Sequence, residues 1–177
     1  MVLQTLTDFY GGTHPAVCSF APEPEEELLQ AAADEAYLVL DWPEPAPQPF
    51  GALGNRLLVP ESWAQLFPQA GLLISSAMSG GDIRQRFKEA AEHRQCWLQL
   101  QPMAAAFPLP CPDGEGTPVS ELPKSEGFYS EALGCRYVHT PRQAILFDTE
   151  ETLEKKILLA QECGFIGILP QTHASPS

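Results

Sequence analysis

Apolar positions along the chain fall into short runs, set apart by stretches with helical spacing. "HPAVCSF" (14–20), "YLVLDW" (37–42), "GLLISSAM" (71–78), "CWLQLQPM" (96–103) and "FIGILP" (165–170) each have the length of a strand. "YLVLDW" is apolar on both faces, as in a parallel strand covered from two sides. Three stretches follow the helical period instead. In "APEPEEELLQAAADEA", acids fill the first turn, and Leu28, Leu29, Ala32, Ala33 and Ala36 share one side. In "SGGDIRQRFKEAAEH", Asp82 and Gln85 stand at capping-box spacing, with Ile83, Phe87 and Ala90 on one face. The third places Leu153, Ile157 and Ala160 together, with Asp148 or Thr149 as cap and Gly164 at the end.

The remaining segments are punctuation. "PEPAPQP" (43–49) cannot join a sheet, because each proline lacks the ladder N–H. Residues 61–67 fit one or two helical turns behind Pro60. The stretch 104–144 is rich in Pro and Gly and reads as an excursion, in which "CRYVHT" and "QAILFD" form a hairpin. Residues 172–177 read as a flexible tail. Alternating strands and helices argue for parallel strands with right-handed crossovers.

A closed (β/α)₈ barrel takes about 250 residues, and about five core strands are legible in these 177. The expected fold is therefore α/β: an incomplete, half TIM-barrel-like parallel sheet with flanking helices and a small β excursion, in one domain over residues 1–171. An open half barrel exposes two strand edges. The chain's own N-terminal and Pro-rich segments or a second copy must cover them, and a homodimer is expected.

Charge narrows the partners. A net charge of −13 with only ten basic residues argues against nucleic acid and against anionic membrane surfaces. No run reaches the ~20 apolar residues of a membrane-spanning helix, and the opening "MVLQTLTDFYGG" lacks the pattern of a signal peptide, which points to the cytoplasm. Five cysteines without a CxxC pair signal neither a disulfide framework nor zinc, and read as buried thiols. His14, His93, His139 and His173 have no metal-ligand spacing. "SGGD" (79–82) lacks the Lys of a P-loop and the third Gly of a dinucleotide fingerprint, so neither a metal nor a cofactor is expected.

The second half of the chain resembles the end of the family 18 glycoside hydrolases, with the nearest likeness in bacterial spore-cortex and germination members. The resemblance rests on "AAFPLPCP" with Phe107, Leu109, Pro110 and Pro112, then the excursion ending in "ILFD" with Asp148, the helix "ETLEKKILLAQECG" and the strand "GFIGILP". It implies a chitinase-like barrel acting on N-acetylated glycans. The chain departs from the family where the chemistry sits. The DxxDxDxE run is missing; "LVLDWPEP" offers Asp41 and Glu44 three residues apart, a spacing that sends them to opposite faces of a strand. Where the family has Met-x-Tyr-Asp, the chain has Met78, Ser79 and Gly80. Where the family has a sugar-stacking Trp, it has Pro170 and Gln171.

Asp41 and Glu44 are thus the candidate catalytic acids. Trp42, Met78, Ser79, Gln99, Gln101, Met103 and Gln171 are the candidate ligand contacts, all near the C-terminal ends of the expected strands. The expectation is a catalytically degenerate hydrolase-like protein that binds a glycan or a protein, or serves a structural role. An active glycosidase on chitin- or peptidoglycan-type glycan with Glu44 as acid, and a pure assembly protein, are the alternatives. Paired carboxylates hydrolyse a glycoside only when both face the scissile bond.

Overall fold

Side chains alternate sides along a strand, and here the two sides enter two separate cores. The structure, a computed structural model, describes residues 1–33, 36–42, 50–109 and 116–170. Seven strands form its barrel: β1 (Val2–Asp8), β2 (Thr13–Ser19), β3 (Tyr37–Leu40), β4 (Leu57–Pro60), β5 (Gly71–Ser75), β6 (Cys96–Gln99) and β12 (Gly167–Leu169). Leu6, Ala16, Cys18, Val39, Leu58, Leu73, Trp97 and Leu169 fill its interior. The intervening residues, among them Val17, Leu38, Leu40, Val59, Ile74 and Leu98, face outward into a second core.

That outer core is covered by α1 (Glu25–Ala31), α2 (Ile83–His93) and α3 (Glu150–Glu162). Leu28 of α1, Ile83 and Phe87 of α2, and Ala160 of α3 are the buried helix residues there. Asp82 caps α2 by accepting from Gln85 N–H at 3.0 Å. At α3 the cap is Thr149, whose hydroxyl and that of Thr152 bond each other's main chain reciprocally. Asp148, left free of capping, serves elsewhere.

The expected half barrel is corrected by the strand order, β1-β12-β6-β5-β4-β3-β2, which closes on itself. Among the described residues, five neighbouring pairs are parallel, and β1 is antiparallel to both β2 and β12. This is a mixed seven-stranded barrel, not a half TIM barrel, and it lacks the helix-after-every-strand shell that a TIM-barrel, chitinase-like architecture requires. Two strands hidden from the pattern, β1 and β4, supply the closure. The length argument fails for a physical reason: β1 and β2 meet in a tight hairpin, and β4 and β5 are joined through a 3₁₀ turn at Glu61–Trp63, so the chain closes without a helix in each connection. A closed barrel has no open edge. The edge argument for a homodimer thereby loses its premise.

Closure also demands one glycine. A Cβ on Gly167 would lie 2.1 Å from the Thr7 carbonyl oxygen and 2.6 Å from Asp8 Cα, so only a residue without a side chain lets β12 approach β1 this closely. At the same end, His14, Tyr37 and Trp97 meet edge to face with ring centroids 5.5–5.8 Å apart, and plug the barrel where its parallel strands begin. Asp8 locks the adjoining hairpin: its carboxylate accepts from Tyr10 N–H and Gly12 N–H, and bonds His14 Nε2 at 2.8 Å.

Between β6 and α3 the chain leaves the barrel for a five-stranded antiparallel sheet. It comprises β7 (Ala104–Pro108), β8 (Thr117–Pro118), β9 (Phe128–Ser130), β10 (Cys135–His139) and β11 (Gln143–Phe147), in the order β8-β7-β11-β10-β9. Met103, Phe107, Cys135 and Leu146 form the core beneath it. No helix among the described residues is long and apolar enough to cross a membrane.

Candidate functional site

The barrel interior changes character along its axis. Below, it is apolar and plugged by rings. Towards the C-terminal ends of the parallel strands, the inward positions turn polar. Leu6 is followed one inward step up β1 by Gln4, Leu73 on β5 by Ser75, and Trp97 on β6 by Gln99 and then Gln101. Of these, Gln4, Gln99 and Gln101 stand with Leu169 in the wall of a cavity of about 250 Å³, with Phe20, 41% exposed, at its rim; Ser75 reaches it through its bond to Gln101. Drug-sized ligands occupy clefts of roughly 300–1,000 Å³, so this mouth suits something smaller.

The amides are unequally satisfied. Gln4 Nε2 is buried and has no hydrogen-bond partner. A buried donor without an acceptor costs about 1–3 kcal/mol, a state that Gln4 shares with the indole N–H groups of Trp42 and Trp97; of the three, Gln4 alone lines this cavity. Gln101 is engaged: its Oε1 accepts from the Ser75 hydroxyl, which in turn accepts from Ala77 N–H at 3.1 Å. Main-chain atoms of Gln101 are tied to the buried Ser76 hydroxyl by bonds of 2.8 and 3.0 Å. Asp41 follows β3, and its N–H continues the ladder to Ser19 O at 3.0 Å. The alternation that turns Tyr37 and Val39 inward therefore carries Asp41 to the inner side of the rim. Partial desolvation at this strand tip pushes its carboxyl above the ordinary range.

Past the C-terminal ends of β5 and β6, beside the mouth, lies a fully buried ion pair. Lys156 on α3 and Asp148 after β11 pair at 2.8 Å, with side chains 1% and 0% exposed. Lys156 Nζ also donates to Ser76 O, and Asp148 also accepts from Met103 N–H and the Thr152 hydroxyl, all at 2.8 Å. Every charged atom thus has a partner, the condition for holding an ion pair in the interior. The contact joins four segments: the end of β5, the entry to β7, the end of β11 and α3. It has no opening to solvent, so it is a structural clamp rather than a reactive lysine. Cys135 borders it, its thiol pushed up to about 11 by burial.

A larger groove of about 720 Å³ runs along α2, lined by Glu61, Leu72, Arg86 and Arg94. Its cations are already committed. Arg86 pairs with Glu61, and Arg94 donates to the carbonyls of Ala64, Phe67 and Ala70. The groove lies beside the 3₁₀ connection between β4 and β5, where no longer helix fills the space.

The residues singled out in the sequence divide accordingly. Gln99 and Gln101 line the mouth, and strand alternation carries Asp41 toward it from the end of β3. Trp42 and Met78 are buried in the outer core, and Ser79 is exposed in the turn before α2. Met103 is buried below the antiparallel sheet and holds Asp148 through its main chain. Glu44 and Gln171 lie outside the described residues. Sequence reasoning missed Gln4, Phe20 and Ser75. Gln4 belongs to an unrecognised strand, although Gln4 and Leu6 do stand at strand spacing. It also missed the clamp, whose signal was available in Asp148, Thr152 and Lys156 at helical intervals of four.

Among the described residues, no three or more His, Cys, Asp or Glu side chains gather as metal ligands. Comparison with the known protein families, with curated proteins and with solved structures finds no match to this chain.

Proposed function

We propose that the barrel mouth is a non-catalytic binding site for a small, neutral, hydroxyl-rich molecule of the saccharide class. The observation that carries the reading is Gln4 Nε2, a buried donor without an acceptor in the wall of a cavity of about 250 Å³. A ligand oxygen would satisfy it. Side-chain amides suit hydroxyl groups because each amide both donates and accepts. Phe20 offers an apolar face at the rim for the C–H side of a ring.

Charge sets the class. Among the described residues no Lys or Arg lines this cavity, strand alternation carries Asp41 toward it, and the chain carries −13 overall, all of which disfavour an anionic ligand. Binding rather than hydrolysis is proposed because no carboxylate pair stands among the described residues that line the mouth, as the common two-carboxylate route of glycoside cleavage requires. A cytosolic setting is part of the proposal, since the free thiols of Cys18, Cys96, Cys135 and Cys163 suit a reducing compartment.

Calorimetric titration with neutral mono- and disaccharides, alongside uronic acids of matched size, tests the reading. Saturable binding of a neutral sugar, weaker binding of its acidic counterpart, and loss of both in Gln4→Leu are expected. Absence of binding by the wild type, or full binding by Gln4→Leu, overturns it.

A further inference from the structure

We infer that Ser75 is a positioning residue that sets the hydrogen-bond polarity of the mouth, so that the site selects a ligand by its oxygen acceptors; this rests on the binding reading above. The reasoning is an account of protons. The Ser75 hydroxyl has one to give. Its oxygen already accepts from Ala77 N–H, and its proton goes to Gln101 Oε1. That engages one lone pair of the Gln101 carbonyl and leaves its NH₂ to be presented to a ligand. Gln4 contributes a second NH₂, buried and without a partner. The mouth therefore offers the amide donors of Gln4 and Gln101, beside the amide of Gln99, while Asp41, carried toward it by strand alternation, is an acceptor.

The arrangement is held from the side. Gln101 cannot drift, because its N–H and C=O are both bound to the Ser76 hydroxyl. Ser76 is itself fixed by Lys156 Nζ on its carbonyl. Two residues further on, Met103 exchanges hydrogen bonds with Asp148, its N–H to the carboxylate and its C=O accepting from Asp148 N–H, both at 2.8 Å. The buried ion pair thus anchors both ends of the segment Gln101–Met103, and Ser75 adds the one contact that orients its amide. A donor set prepared in this way binds without first ordering a side chain. It also discriminates, because an analogue lacking the matching oxygen leaves a donor unpaired.

The test has two arms. In the ligand-free protein, ¹⁵N relaxation of the Gln101 side-chain amide is compared between wild type, Ser75→Ala and Ser75→Thr. A restrained amide in the wild type, released in Ser75→Ala and restrained again in Ser75→Thr, is expected. A freely rotating wild-type amide overturns the inference whatever binds.

The second arm titrates the best neutral sugar and its deoxy analogues. Ser75→Ala is expected to weaken the parent sugar about 5-fold while leaving one deoxy analogue unchanged, so that discrimination at one hydroxyl collapses. Gln101→Glu, which keeps an acceptor for Ser75 but removes the NH₂, is expected to weaken the parent more than about 10-fold. Equal loss for the parent and every analogue in Ser75→Ala marks a merely structural serine and overturns the inference, with the binding reading intact. A wild type that binds no sugar, whatever its amide does, overturns the binding reading and the selective role together.

Discussion

Removing the cation of the buried clamp gives the sharpest test of how the two parts of the molecule are joined. In Lys156→Met the side-chain stem is kept, while Asp148 loses the ammonium at 2.8 Å and Ser76 O loses its donor. The carboxylate retains Met103 N–H and the Thr152 hydroxyl, so it stays in place, but as a buried charge without a counter-charge. Breaking one half of such a pair costs about 3–5 kcal/mol. A domain of this size has about 5–15 kcal/mol in total, so roughly a fifth or more of the stability should disappear. Asp148→Asn strands the lysine instead and should cost a similar amount. Combined in one chain, the two changes leave no uncompensated charge. The double variant should then lose well under the sum of the singles, with a coupling of about 2–3 kcal/mol. Urea denaturation, followed by tryptophan fluorescence and far-ultraviolet circular dichroism, provides the four corners of this cycle. Additivity within about 0.5 kcal/mol would refute the reasoning, because it would mean that the two groups do not sense each other.

Three further outcomes follow from other parts of the fold. Gly167→Ala puts a methyl group against the Thr7 carbonyl, which belongs to backbone and cannot swing aside, so a loss of about 1–3 kcal/mol is expected, together with a red shift of Trp97 emission; unchanged stability would contradict the close approach of β12 to β1. The bond to His14, followed by that to Gly12 N–H, holds the Asp8 carboxyl below its ordinary 3.8. The unfolded chain therefore binds that proton first, and the stability this group contributes is present above 3.8 and lost as the pH falls through the folded value. Thermal melting along an acid series should show a shallower decline in Asp8→Asn than in wild type, and parallel declines would contradict it. Burial pushes the thiols of Cys18 and Cys96 up to about 12, so mass spectrometry after brief alkylation at neutral pH should find them unmodified in the folded protein and labelled once it is unfolded. Fast native labelling of either would contradict their burial.

The strands that face two cores were legible in the sequence because both of their faces must be apolar. "YLVL" of β3 and "GLLIS" of β5 carry this mark without interruption. β1 does not, since its outward residues Leu3 and Thr5 are exposed and Leu6 is its one fully buried side chain. β4 is only "LLVP", and its proline stands at the strand's end, where no further ladder bond is required. Both missed strands are what turn an apparent half sheet into a barrel. The hairpin of β10 and β11 was readable from two short apolar runs and a turn, and the two strands pair over Arg136–His139.

The mouth was legible only where period-two reasoning had a strand to work on. Gln99 and Gln101 follow Trp97 at intervals of two, and all three face inward. Trp42 and Met78 adjoin strand ends, which in the sequence marks them as ligand contacts; they lie instead on the outward side, where a large apolar residue is worth more under a helix than at a polar rim. Gln4 and Phe20 reach the same cavity from β1 and from the residue after β2, a convergence set by barrel closure and invisible in linear spacing.

The central claim is that the C-terminal mouth binds a neutral sugar, and amide NMR mapping at saturating ligand tests it most directly. The exposed ring cluster of Phe128, Tyr137 and His139 on the antiparallel sheet is the natural competitor, because rings 5.7–6.4 Å apart also offer a sugar an apolar surface. The account predicts saturable shifts at the side-chain amides of Gln4, Gln99 and Gln101, with the ring cluster unmoved. Shifts confined to the ring cluster, or none at the three glutamines, would contradict it.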